Sequence, residues 1–224
     1  MADTPQKSAQ EKAVDALLDL LADREWNAVS LPDIADKAGL TLAELRAAYP
    51  SKGAILAGFA KRIDQSVLKA DSDLADQPAR ERLFDVMMRR FDALKPYKRA
   101  IASARRGLLA DPLAASAWNS VEVNSAQWML AAAGIKESGP GAAVKAQGLA
   151  MIFASVLATF LDDDDPDLTK TMRDLDIHLR RAERLVETGD LVQKTLSPVL
   201  STIGRIVGTR GRKKETSEDA ASAI

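Results

Sequence analysis

The most constraining stretch of this sequence runs from Ser30 to Leu56, where caps, prolines and a glycine dictate two short helices joined by a tight turn. Ser30 stands before Leu31, Pro32 and Asp33. That order is an N-cap, then a proline where a helix has no use for an N–H, then an acid where the helix dipole favours negative charge. The pattern predicts a helix to Ala38 that stops at Gly39, because glycine adopts the left-handed conformation of a helix terminus without penalty. Thr41 then caps a second helix from Leu42 to Ala48, and Pro50 closes it. Ser51 caps a longer helix with Ile55, Leu56, Phe59 and Ile63 on one apolar stripe, and an amphipathic helix from Gln10 to Arg24, carrying Val14, Leu17, Leu18 and Leu21, precedes the pair.

Beyond Asp76 and Pro78 every segment keeps a helical period. Leu83, Val86, Met87, Phe91 and Leu94 mark one helix, and Pro96 punctuates it before a helix from Ala100 to Leu109. Asp111 and Pro112 open the next, which carries Trp118, Val121, Ser125, Trp128 and Met129 and stops at Gly134. The KESGPG interval reads as a loop, and Gly139-Pro140-Gly141 as loop and helix cap rather than a phosphate loop, since no strand precedes it. From Ala142 to Leu161 the apolar residues Leu149, Ile152, Phe153, Val156, Leu157, Phe160 and Leu161 cover a broad face, so this helix is expected to be largely buried in its own core or against another subunit, a dimer interface being a natural candidate. A helix from Leu168 to about Val186 should turn Met172, Leu175, Leu179, Ala182 and Leu185 inward. A last one, Leu191 to Val207, aligns Val192, Leu196, Val199, Leu200, Ile203, Ile206 and Val207 before a polar tail. The expectation is an all-α protein of three parts: residues 1–65, a helical domain over 66–208, and a tail over 209–224.

Composition agrees, with 46% hydrophobic residues but only 4% aromatic ones, an Ala, Leu and Val core that favours helices over strands. The absence of cysteine excludes disulfides, thiolate catalysis and Cys-ligated zinc. The first fifteen residues lack the apolar run of a secretion signal, and no apolar stretch is read as long enough to span a bilayer, so the expected location is cytoplasmic.

The residues Ile34-Ala35, Ala38-Gly39-Leu40-Thr41, Leu45, Tyr49, Lys52 and Leu56 together resemble the DNA-binding module of the Tet-repressor (TetR) family. The resemblance implies a TetR-like fold, in which the helix-turn-helix of about residues 30–49 reads a palindromic operator as part of a homodimer and a small apolar ligand in the helical domain controls it. It also implies that Ser30, Thr41, Leu42, Ala43, Glu44, Arg46, Ala47, Tyr49 and Lys52 face DNA, with Arg46 and Lys52 on phosphates. Arg46, Ala47 and Ala48 occupy positions where the family commonly carries an aromatic pair. Between Ser30 and Lys52 the bases Lys37, Arg46 and Lys52 are matched by the acids Asp33, Asp36 and Glu44, and the whole chain carries −1. DNA affinity must therefore come from local geometry and from two copies acting together.

The stretch from Arg82 to Val186 is also similar to the lipid-binding accessory proteins of ubiquinone biosynthesis, which share this fold. That resemblance implies an alternative: a protein that binds an isoprenoid lipid without recognising an operator. Under it, Leu191–Val207 followed by Arg210, Arg212, Lys213 and Lys214 would make peripheral contact with an anionic membrane. In either case Met87, Met88, Phe91, Trp118, Trp128 and Met129 are candidates to line an apolar ligand cavity, since thioethers and broad rings suit hydrophobic ligands, and core packing accounts for them about equally well. No cofactor or metal is expected: Asp162–Asp165 lack the spacing of a calcium loop and read as a solvated turn. Nor is an enzyme expected, because the single histidine, His178, has no nucleophile motif beside it.

Overall fold

A computed structural model of the chain describes residues 7–69, 76–135 and 140–185, and among these all regular structure is helical. The helices are α1 (Ala9–Asp23), α2 (Leu31–Ala38), α3 (Leu42–Ala48), α4 (Lys52–Leu68), α5 (Ala79–Leu94), α6 (Lys98–Leu109), α7 (Pro112–Ala132), α8 (Pro140–Leu161) and α9 (169–185). Short 3-10 turns at Trp26–Ala28 and Lys95–Tyr97 link α1 to α2 and α5 to α6. The second turn contains Pro96, whose missing N–H prevents α5 and α6 from forming one helix. α8 begins at Pro140, so Pro140 and Gly141 form its first turn instead of extending the loop. Gly139, the expected helix over Leu191–Val207 and the tail lie outside the described residues.

Residues up to Leu179 form one compact unit, and a second begins at Arg180, of which residues 180–185 are described and helical. A continuous apolar core runs through the first unit from α1 to α9. The boundary expected at residue 65 falls inside α4, whose Ile63, Asp64 and Val67 are all buried. The first three helices therefore rest on the helical body through α4 and α6.

The core centres on Phe91, whose ring lies 5.3 Å from Phe153 in a stacked arrangement and 5.2 Å from Phe160. Both partners belong to α8, one of whose expected places is the protein's own core. Gly141–Leu161, with a mean hydropathy of 1.6 over 21 residues, has the length and composition of a membrane span. Its apolarity is used within the protein, where Leu149, Phe153, Val156 and Phe160 are buried. The opposite face is open, with Met151 65% exposed. On α9, Leu175 and Leu179 point inward as expected, but Met172 and Leu185 are exposed.

The acidic turn is also corrected, because Asp163 is buried rather than solvated. Its Oδ2 accepts from Thr171 N (2.9 Å) and Thr171 Oγ1 (2.8 Å), so it caps α9 from outside the helix, while its carbonyl accepts from Lys98 Nζ. Burial opposes charge on this carboxyl, and the bonds from Thr171 outweigh it, holding its pKa below the ordinary aspartate value.

α6 is fixed against the start of the fold. Ser103 Oγ donates to Arg24 O at 2.8 Å, and Arg106 pairs with Glu25 at 2.8 Å. At Gly107 a Cβ would stand 2.4 Å from three atoms of Trp26, so only glycine permits this approach. Gly107→Val is expected to destabilise the protein by about 1–3 kcal/mol in thermal or urea unfolding, the usual cost of overpacking. This outweighs the gain in helix propensity of less than about 1 kcal/mol.

Candidate nucleic-acid interface and ligand cavity

The α2–α3 pair is held by two reciprocal caps. At α2, Ser30 N and Oγ donate to Asp33 Oδ2 (2.8 and 2.6 Å) while Asp33 N donates back to Ser30 Oγ (3.3 Å). These bonds from Ser30, aided by Arg24, lower the Asp33 pKa to about 2. At α3, Thr41 N and Oγ1 donate to Glu44 Oε2 (2.7 and 2.8 Å) and Glu44 N donates to Thr41 Oγ1 (3.2 Å). Between them Gly39 adopts φ 64, the left-handed stop expected from the sequence. Only Leu45 of α3 is buried, which leaves Thr41, Leu42, Ala43, Glu44, Arg46 and Ala47 facing solvent together, with Leu42 55% exposed. The carboxylate of Glu44 is occupied in the cap, so it positions the helix N-terminus.

Tyr49 and Lys52 turn inward to different degrees. The Tyr49 ring covers Gly58, where a Cβ would lie 2.3 Å from the hydroxyl oxygen, and burial raises the phenol pKa against the opposing effect of Arg62. Lys52 Nζ donates to Trp26 O and Val29 O, both at 2.7 Å, and lies 4.3 Å from the centre of the Trp26 ring. Burial lowers its pKa. Two of its three donors thus fasten the N-terminus of α4 to the loop before α2, whereas a phosphate contact was expected of this residue.

A cavity of about 210 Å³ lies within the helical body. Phe59, Ala60 and Ile63 of α4, Ile101, Ala104 and Leu108 of α6, Trp118 of α7 and Phe153 and Leu157 of α8 supply most of its apolar wall. Of the residues expected to line it, only Trp118 does so. Met87, Phe91 and Met129 are fully buried core residues, Met88 borders a separate groove beside α5, and Trp128 is 55% exposed on another groove, between α4 and α7.

Two charged residues of this wall belong to a buried cluster. Arg90 Nη1 donates to Glu122 Oε2 at 3.0 Å, and Arg90 Nε lies 3.4 Å from Asp64 Oδ1. Ser125 Oγ donates to Asp64 Oδ2 at 2.6 Å, and the guanidinium stacks 4.0 Å from the centre of Phe153. Two carboxylates thus share one guanidinium. Burial raises the Glu122 pKa, Asp64 adds to the rise, and attraction to Arg90 only partly offsets it. A raised carboxyl pKa means that the folded state favours the proton, so the stabilising contribution is complete below about 4.5 and is lost as pH rises through the raised value. Glu122→Gln is therefore expected to flatten the decline in stability above that pH, as read from urea unfolding across the range. Parallel pH profiles for the two proteins would contradict this assignment.

His178 has partners that its local sequence does not reveal. Ser155 Oγ lies 3.3 Å from Nε2, while Nδ1 lies 2.9 Å from Asp174 O and 3.2 Å from Asp174 Oδ1. Thr159 Oγ1 donates to Asp174 Oδ2 at 2.7 Å, so the set ties α8 to α9. All four residues lie within helices, so their backbone N–H groups are spent on the helix and offer the serine no oxyanion donor. Among the described residues no three acidic or histidine side chains are grouped to hold a metal ion.

No family model and no curated protein sequence matches the chain. Solved structures do. A TetR transcriptional regulator from Nitrosomonas europaea superposes with a TM-score of 0.63 at 23% identity, over 79% of this chain and 99% of that one. A TetR transcriptional regulator from Rhodococcus sp. RHA1 gives 0.55 at 18% identity, over 79% and 97% of the two chains. A TetR-family regulator from Streptomyces coelicolor gives 0.53 at 18% identity, over 91% and 97%. With the capped α2–α3 pair and the helical body behind it, the chain has the all-α fold of TetR transcriptional regulators.

Proposed function

We propose that this chain is a homodimeric, one-component transcriptional regulator that binds palindromic DNA and responds to a small apolar ligand in the cytoplasm. The observation that carries this reading is the solvent-facing surface of α3, held in place by reciprocal caps at Ser30 and Thr41. Thr41, Leu42, Ala43 and Ala47 are offered to base edges and Arg46 to a phosphate, with Glu44 fixing the helix start. The cavity supports ligand control because both helices that anchor the module also line it. α4 contributes Phe59 and Ile63 to the wall and holds the module through Lys52, while α6 contributes Ile101 and Leu108 and rests on Trp26 through Gly107. A ligand that favours one spacing of the two modules by a few kcal/mol then alters operator affinity. The open face of α8, with Met151, Ala154 and Ser155, is the surface proposed for the second copy.

Arg46→Glu tests the interface without touching the Lys52 anchor. Affinity for DNA upstream of the protein's own gene is expected to fall about tenfold or more, with a shallower dependence on salt. Unchanged affinity would remove α3 from the interface.

One observation favours the second reading, a lipid-binding accessory protein: Arg46 is the only base of α3, and Lys52 is bonded internally. Native mass spectrometry of the purified protein separates the two, since a retained isoprenoid lipid together with no DNA affinity at low salt would establish the second.

A further inference from the structure

α6 is rich in bases, and all but one are engaged. Lys98 donates to Asp163 O, Arg99 pairs with Asp23 at 2.8 Å, and Arg106 pairs with Glu25 at 2.8 Å. Arg105 makes no hydrogen bond or ion pair among the described residues, although it is half-buried on the cavity wall. The helical period puts it there, in the series Ile101, Ala104, Arg105 and Leu108. The other polar side chains of the wall are paired, although Arg90 Nε has no hydrogen bond beyond its 3.4 Å approach to Asp64. Asn119 and Gln147 exchange side-chain bonds of 3.0 and 3.1 Å, and Arg90 and Glu122 hold each other. A guanidinium with open donors beside an apolar cavity selects for a planar anion.

Accepting that the cavity is the ligand site, we propose that its ligand is an amphiphilic carboxylate, with the carboxylate on Arg105 and the hydrocarbon part in the apolar space. Arg105 is more exposed than the buried Arg90–Glu122 pair, so the anion sits toward solvent and keeps part of its hydration. An ammonium ligand would meet the like charge of Arg105 at the same place. A dry cavity of about 150 Å³ accommodates benzene. On the same scale, the 210 Å³ present here suits about eight carbon atoms.

Calorimetric titration of the full chain with octanoate, octan-1-ol and octylammonium tests the assignment, with Trp118 fluorescence as a second readout. Octanoate is expected to bind about tenfold or more tightly than octanol, and octylammonium most weakly. Arg105→Gln should weaken octanoate by about 10- to 100-fold, as expected for loss of charge-assisted bonds, while octanol changes by less than about twofold. An unchanged unfolding temperature for this half-exposed substitution shows that the fold is retained. The proposal is overturned if octanoate does not bind, if octanol or octylammonium equals it, or if Arg105→Gln leaves octanoate affinity intact. DNA binding is measured separately. Octanoate bound by a protein with no DNA affinity would overturn the regulator reading alone, whereas DNA binding without carboxylate preference would overturn this one alone.

Discussion

Arg90→Met is expected to cost about 3–5 kcal/mol of folding free energy, the usual result of removing one partner from a buried ion pair. Arg90 is 3% exposed, and its guanidinium is the only cation within reach of the Asp64 and Glu122 carboxylates among the described residues. Methionine fills much of the same volume, so the loss would come from two uncompensated buried acids more than from a void. Stacking on Phe153 is lost as well. The effect should shrink as pH falls, because the raised pKa favours protonation and removal of the Glu122 charge, and adding Glu122→Gln should recover part of it at neutral pH. Urea unfolding of the single and double variants at two pH values provides the check. An Arg90→Met protein with wild-type stability at pH 8 would show that the cluster is not desolvated as described.

Phe91→Ala is expected to be comparably severe, about 3–5 kcal/mol, because it empties a fully buried site between two further rings. The lost burial and the residual cavity act together. Phe91 does not border the cavity, so the damage is to the junction of α5 with α8. A lower urea midpoint is the expected outcome. Wild-type stability with selective loss of ligand binding would instead return Phe91 to the pocket suggested by sequence alone.

Phe91 shows where sequence reading succeeds and where it stops. The caps at Ser30, Thr41, Ser51 and Asp111 and the glycine stop at Gly39 depend on residues within a turn of one another, so α2, α3 and the starts of α4 and α7 are legible directly. The cavity is assembled from α4 to α8, and periodicity reports only that a residue faces inward, not whether it meets a side chain or a space. Trp118 and Met129 follow the same helical pattern, yet one borders the cavity and the other is core. Lys52 finds acceptors 23 and 26 residues away, beyond any local motif. A usable signal did exist for the buried cluster. Arg90 stands at i+3 from Met87 and i+4 from Val86, a charge on an apolar stripe, and such a charge requires a buried partner. The acidic turn misled because composition marks it as solvated, while Asp163 is drawn inside by Thr171 eight residues on.

In the proposed function α3 reads DNA as one of a symmetric pair. Footprinting of the DNA upstream of the protein's own gene, at about 50 mM salt where phosphate contacts are weakly screened, tests it most directly. Protection of two inverted half-sites centred about one or two helical turns apart is expected, lost with Arg46→Glu. Uniform protection, or none at protein concentrations that support a dimer, would contradict it.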